Sequence, residues 1–355
     1  MKIKQNSDDF IVEEVLKLDL NPKGDYCYFV LEKKDWTTLK ALKFMASKLN
    51  VSPKRFGIAG QKDRKGITRQ YVSCYHLKQY KLDDMELKDI HVKFIGYCDK
   101  PIGLGDLEGN KFKIRVRELK KPLQKIKHFV NYYGEQRFGG YRPNMHLVGK
   151  EFILGNYEKA AKLMICYPYA KETKRNREAR RAMQEIWPDF KKAIKICPKQ
   201  LTHERSLLGY LARKPSDYKG AFKELPRQLY TMVPQAYQSY LFNESLSRYL
   251  RKFKHRESKY CCGKMVFVDE FLDLDWALVD RGTKLEGDVK EVVETLMKEE
   301  NVWYDDFEFS KGLTRKAMVK VKDFWLGKLK KDVQECSFFL PKGCYATVAI
   351  RSMLQ

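Results

Sequence analysis

The sequence predicts an α+β fold, in which a β-rich domain is interrupted by a mainly helical insertion. Three observations carry that reading. Within the first 120 residues, strand-like segments in which apolar and polar residues alternate with period two are interrupted by a helical stretch. From about 150 to 305 the apolar spacing changes to that of helices, and after Pro341 strand-like segments return. The implied domains are 1–150 together with 306–355, and an insert over 151–305.

In chain order, 9–18 and 26–33 alternate as strands. Asp35 is a candidate N-cap for a helix over 36–49, with Trp36, Leu39, Leu42, Ala46 and Leu49 on one face. Strands are expected at 55–59, 67–75, 91–98 and 111–118. In the last of these Phe112, Ile114 and Val116 share one face, and Lys111, Lys113, Arg115 and Arg117 form a basic ladder on the other. Helices are expected at 157–165, 171–187, 202–214 and 235–253, and a strand at 345–350. Lys174, Arg177 and Arg181, with Arg180 nearby, lie along one side of the second helix. Such a run is either a solvated face or a phosphate contact.

Lys and Arg number 70 against 46 Asp and Glu, a formal net charge of +24 in 355 residues. Lys-rich surfaces of thermophiles usually balance their lysines with Glu; this chain does not, and its charge favours a polyanionic partner, an anionic membrane surface or, as the expected one, nucleic acid. The apolar runs are too short to span a membrane, and the N-terminus lacks a signal-peptide pattern. The nine cysteines include no CxxC pair and the six histidines no HExxH spacing, so neither a disulfide framework nor a metal site is expected. A cytoplasmic monomer is the expected state, with adjacent Cys261 and Cys262 as reduced thiols.

One loop concentrates the chemistry. In KRFGIAGQKDRKGITRQ (54–70), Gly57, Gly60 and Gly66 bracket a tight strand connection, with backbone freedom expected at Gly60 and Gly66. Lys54, Arg55, Lys62, Arg64, Lys65 and Arg69 surround a single acid, Asp63. Nearby positive charge favours the ionised carboxylate, which suits a nucleophile or base and not a proton donor. From the residues alone, a basic surface hairpin whose Asp offsets local charge fits slightly better. The loop lacks the Walker spacing, and GLGDLEG (103–109) lacks the dinucleotide fingerprint.

GIAGQKDRKGITRQ (57–70) resembles the GxAGxKDxxxxTxQ signature of the TruD family of tRNA pseudouridine synthases. Other segments resemble the family in the same order: DFIVEE (9–14), GLGDLEGNKFKIRVRE (103–118), NYYGEQRFGG (131–140), AYQSYLFN (236–243) and LPKGCYATVAIR (340–351). Together they span essentially the whole chain and fit an archaeal-type member. The resemblance implies a mixed or antiparallel pseudouridine-synthase sheet, an inserted helical TRUD domain, and a cleft between them. It implies isomerisation of uridine in tRNA, most often uridine 13 of the D arm, with no cofactor and no metal. A non-catalytic RNA-binding protein on the same fold is the competing reading.

By the same resemblance Asp63 is the catalytic carboxylate, and Phe112 would stack on the uracil. Asn110 would bind the base or order the loop, and Glu14 would orient a basic group near Asp63. Lys62 would pair with Glu14 or a phosphate. Read without the family, Phe112 is equally a core residue and Asn110 a turn residue after Gly109. Gln61, Thr68 and Gln70 are expected to hold the loop by hydrogen bonds, and Arg137 to line the cleft, where neighbouring Tyr and Phe rings would stack on splayed nucleotides. Arg64, Lys65, Arg69, Lys174, Arg177 and Arg181 are the expected RNA contacts.

Overall fold

The computed structural model describes residues 1–85, 87–308 and 313–354, which divide into two compact units, Met1–Phe129 with Val319–Gln355, and Val130–Met318.

The first unit is built on an eight-stranded mixed sheet. Its strands are β1 (Phe10–Val15), β2 (Tyr26–Lys34), β3 (Phe56–Ile58), β4 (Ile67–Tyr75), β5 (Ile90–Cys98) and β6 (Gly109–Val116), joined by Lys322–Leu326 and Gln334–Pro341. Along the sheet, Lys322–Leu326 pairs with Gln334–Pro341, followed by β6, β1, β4, β2 and β5, while β3 pairs with β4. Among the described residues only the β1–β4 pair of this sheet is parallel; its other pairings are antiparallel. Strand alternation sends Phe10, Val12 and Glu14 of β1 to the buried face, with Phe112 and Ile114 of β6 opposite them. Helix Thr38–Leu49 covers the β2 and β4 part of that face through Ala41, Leu42, Met45 and Leu49.

Three local expectations are corrected. Thr37, not Asp35, caps the helix, its hydroxyl accepting from the Lys40 N–H. Asp35 is held in the left-handed region (φ 61°), where it accepts bonds from the Ser7 hydroxyl and the Gly66 N–H. Leu39 points to solvent and Ala41 and Met45 take its place, because the buried stripe is rotated toward the sheet. Segment 345–350 is helical (Ala346–Ser352), while the returning strand is Gln334–Pro341. A short apolar run flanked by Gly and Pro does not by itself distinguish the two.

The second unit is mainly helical and packs its core around Phe152, Leu207, Leu208, Leu211 and Phe222. Its longest helix, Arg227–Leu250, contains Pro234. Helix Met145–Ile153 comes so close to it that a Cβ on Gly149 would sit 2.3 Å from the Val233 carbonyl oxygen. Two-stranded ribbons, His255–Tyr260 with Gly263–Val268 and Asp275–Leu278 with Leu313–Lys316, lie in the same unit.

Helix Lys174–Glu185 turns part of its basic run inward. Arg180 is 1 % exposed and donates to Glu172, Glu204 and the Ile165 carbonyl, with Arg142 sharing both acids. Arg180 is therefore a structural cation and not part of a solvent face. Removing one partner of such a network leaves buried charge uncompensated, at a cost of about 3–5 kcal/mol. Arg180→Ala is expected to lower urea-unfolding stability by that amount; a change within about 0.5 kcal/mol, typical of surface positions, would contradict the assignment.

Candidate active site

The loop between β3 and β4 has no apolar side chain between Gly60 and Gly66, so polar contacts hold it. Gly66 sits at φ 127°, and a Cβ there would lie 2.4 Å from the Phe10 carbonyl oxygen. Both its conformation and the close approach require glycine. Gly60, by contrast, has open space around it, so the expected backbone demand falls on Gly66. The Thr38 hydroxyl donates to the Gln70 amide oxygen (2.7 Å) and accepts the Lys62 N–H (3.0 Å), while the Gln70 amide nitrogen donates to the Gly60 carbonyl. Thr68 makes no such bond, its buried hydroxyl having no partner among the described residues.

Two chains of interaction tie this loop to the sheet. In the first, Lys62 forms an ion pair with Glu14, whose other carboxylate oxygen accepts the Tyr71 N–H. The Glu14 side chain is fully buried, and on the neighbouring strand Asn110 lies directly across from Glu14. The Asn110 Oδ1 is buried without a hydrogen-bond partner among the described residues. In the second, Asp63 Oδ2 is 2.8 Å from Lys4 Nζ, which sits 3.9 Å from the centroid of the Phe10 ring. Phe10 neighbours Phe112 (6.0 Å), and Phe112 neighbours Phe338 (5.7 Å). Asp63, Lys62, Glu14, Asn110 and Phe112 are thus brought together in the first unit, Phe112 only 8 % exposed.

The remaining candidates are not part of this cluster. Arg64 and Lys65 project from the loop into solvent. Arg69 is exposed but engaged by Glu13 and Glu32. Lys174 and Arg181 are exposed in the second unit, Lys174 in a solvated ion pair with Glu178, and Arg177 donates to the Ala170 and Glu172 carbonyls. Arg137 also lies in the second unit, donating to the Ser239 hydroxyl and resting 5.2 Å from the Tyr133 ring centroid. The aromatic residues of its segment are not free to stack on nucleotides: Tyr132, Tyr133 and Phe138 are buried. The Tyr132 hydroxyl donates to the Val266 carbonyl, and Asn243 bonds both the N–H and the carbonyl of Tyr133. This segment clamps helix Arg227–Leu250 in the core of the unit.

The family model for tRNA pseudouridine synthase D (TruD) matches residues 1–271 and 272–353. The chain belongs to the TruD family. Membership places it among isomerases. Its relatives include "tRNA pseudouridine synthase D" of Aquifex aeolicus, 32% identical over 99% of this chain and 98% of that protein. The "Probable tRNA pseudouridine synthase D 1" of Methanocaldococcus jannaschii is 34% identical, with 99% and 95% covered. The crystal structure of the putative TruD from Methanosarcina mazei superimposes with a TM-score of 0.75 at 30% identity, covering 99% of this chain and 93% of that one. Among the described residues, no helix is long and apolar enough to cross a membrane.

Sequence reasoning missed Lys4 and Lys33 in this TruD family member. Lys4 carries no signal among 70 Lys and Arg. Lys33 does, because it occupies the buried phase of β2 after Phe29 and Leu31. Its side chain is fully buried, and its ammonium donates to the Asp63 carbonyl (2.8 Å) and the Trp36 carbonyl (2.7 Å). Burial pulls its pKa down to about 8, Asp63 opposing that shift and Lys62 adding to it.

This shift fixes the sign of a pH effect. Below about pH 8 both folded and unfolded chains hold the Lys33 proton, and the burial penalty stands in full. Between about 8 and 10.5 the unfolded chain binds the proton and the folded chain does not, so stability contributed here rises with pH. Relative to Lys33→Met, the native protein is expected to gain up to about 3 kcal/mol across that window, read from urea unfolding at pH 7.5 and pH 10. Parallel profiles would show that Lys33 does not titrate there.

Proposed function

We propose that this protein converts uridine to pseudouridine in tRNA, with Asp63 as the catalytic carboxylate and uridine 13 of the D arm as its target. The observation that carries this reading is the convergence of two chains of interaction on one loop. Asp63 is oriented from its side chain by Lys4 and from its backbone by Lys33. Its neighbour Lys62 is anchored by Glu14 beside Asn110. On this reading the first unit, Met1–Phe129 with Val319–Gln355, is the catalytic domain, and Val130–Met318 is the inserted TRUD domain.

The reaction breaks the bond between ribose C1′ and uracil N1, rotates the base and joins C5 to C1′; the proton lost from C5 is balanced by one taken up at N1. Nothing is oxidised or reduced, and no group is carried in or out. The Asp63 carboxylate serves either route open to it, attack on the nucleoside or removal of a ribose proton to give a glycal-like intermediate. The base must first leave its stack, at a cost of a few kcal/mol, and be received by apolar surface and by groups that read its edge. Phe112, nearly buried between Phe10 and Phe338, supplies the floor of that pocket. Asn110 Oδ1, an acceptor without a partner among the described residues, matches the N3–H of uracil.

Phosphate contacts fall first to Arg64 and Lys65, exposed beside Asp63. On their helix Lys174 and Arg181 face solvent, and the exposed Lys174–Glu178 pair exchanges readily for a phosphate. Arg69 and Arg177 must give up firmer partners to contribute. Arg137 remains a proposed RNA contact of the second unit, limited by its bond to Ser239.

The test incubates purified protein with unmodified tRNA transcript, without metal or cofactor, and maps pseudouridine by chemical modification. Pseudouridine is expected at position 13, and Asp63→Asn is expected to slow its formation at least about a thousandfold while retaining tRNA binding. Undiminished formation by Asp63→Asn would remove the Asp63 assignment. Binding without pseudouridine in any uridine-containing RNA would identify a non-catalytic RNA-binding protein.

A further inference from the structure

The basic ladder of β6 lies on the face of the sheet that the site described above does not use. Asn110, Phe112 and Ile114 point to the buried face, so Lys111, Lys113 and Arg115 point to the other. Cross-strand register extends that outer face. Lys111 lies opposite Phe339 and Lys113 opposite Ser337; on the next strand Lys322 lies opposite Phe339 and, past a bulge that shifts the register, Trp325 lies opposite Ser337. Paired residues share a face, so two aromatic rings and three lysines form one surface, at whose β1 side Glu13, opposite Lys111, is taken up by Arg69.

The charges on it are unevenly engaged. Arg115 is paired with Glu335, and Arg117 with Asp9. Among the described residues no carboxylate lies within ion-pair distance of Lys111, Lys113 or Lys322, all three exposed. Lys111 and Lys113 stand two residues apart on one strand, about 7 Å.

The rings are held in place by the backbone beneath them. Trp325 is 52% exposed, although the neighbouring Phe324 turns inward to stack on Phe338. Its indole lies against Gly327, with a ring carbon 3.0 Å from where a Cβ there would be. Phe339 lies against Gly109 in the same way, at 2.5 Å. Each ring is thus set against a glycine backbone, which fixes its position while leaving Trp325 open to solvent. Fixed aromatic faces interleaved with unengaged lysines are the elements of a sequence-tolerant single-strand platform, in which bases stack and phosphates meet cations.

We propose that this outer sheet face is a second RNA-binding surface, which takes an unstacked single-stranded segment with bases on Trp325 and Phe339 and phosphates on Lys111, Lys113 and Lys322. The choice of RNA among polyanions rests on the proposed tRNA reading. The surface itself does not involve Asp63.

The test measures binding of a fluorescently labelled oligocytidylate to the full chain by anisotropy across a salt series. The probe contains no uridine, so its binding is read independently of isomerisation. Lys111→Ala with Lys113→Ala is expected to weaken binding about tenfold and to reduce the slope of log K against log salt by about 1.4, or 0.7 for each phosphate no longer neutralised. Trp325→Ala is expected to weaken binding about tenfold at nearly unchanged slope, within the range for removing the stacking partner of one base, and Trp325→Phe is expected to restore most of it. Unfolding midpoints equal to the native protein's establish that the exposed substitutions leave the fold intact. Unchanged affinity in both variants would overturn the proposal. So would a loss confined to the lysine variant and equal for heparin, which marks a non-specific cation patch. A change of molecular mass on Trp325→Ala in sedimentation, without weaker RNA binding, would reassign the face to self-association.

Discussion

The position of the Asp63 loop depends on a buried ion pair, Glu14 with Lys62. The loop offers no apolar side chain between Gly60 and Gly66, so hydrophobic burial does not place it. A buried pair of this kind adds little net stability, because desolvation of both ions offsets most of their attraction. Its effect is conditional: once one ion is buried, the loop has one low-energy position, the one that supplies the other ion. Glu14 is the fixed member, held by β1 and by the Tyr71 N–H. Lys62 is the loop's answer to it, and Asp63 follows with its backbone held by Lys33 and its side chain by Lys4. Acids and bases thus perform at this site what apolar contacts perform in the core.

Much of this was legible because the strands obey period two. The edges of β1, β2, β4, β5 and β6 lie within a few residues of those read from alternation. The basic loop with its lone acid was equally visible. What escaped was information that needs three dimensions. Lys4 meets Asp63 across 59 positions of sequence, and nothing local marks it. In the sequence Thr38 is one more residue of a helix, yet its hydroxyl joins Gln70 to the Lys62 N–H. Segment 345–350 misled for a different reason, since alternation over six residues fits a strand or one buried turn of helix equally well. Lys33 was within reach: a lysine in the buried phase of a strand must find partners, and it found carbonyls of the candidate loop and of Trp36.

The net charge of +24 also divides into parts with different work. Arg180 and Arg142 neutralise Glu172 and Glu204 inside the second unit, and Arg117 holds Asp9 in the first. The hydrogen bond from Arg117 keeps the Asp9 carboxyl below its ordinary range even against burial. These cations set the fold and are not available to a polyanion. A charge count overstates the interaction surface by including them, and a helical run such as 174–181 shows why: Lys174 and Arg181 face solvent while Arg180 turns inward. The exposed cations include Arg64 and Lys65 on the loop, Lys174 and Arg181 in the second unit, and Lys111 and Lys113 on the outer face of β6.

Strand β6 is where these separate demands meet. Its even positions present Asn110 and Phe112 to the candidate site, and its odd positions present Lys111 and Lys113 to solvent. The two sets do not compete, because a strand assigns them to opposite faces. That separation holds only while the register holds, since a slip of one residue would turn the lysines toward Phe10 and Phe338 and carry Phe112 into water. Pairing on both sides, with β1 through Gly109–Ile114 and with Gln334–Pro341 through Gly109–Val116, fixes the register. An edge strand would not have been constrained on both sides. The central placement of β6 is therefore what allows one eight-residue segment to serve a buried site and a charged outer face at once.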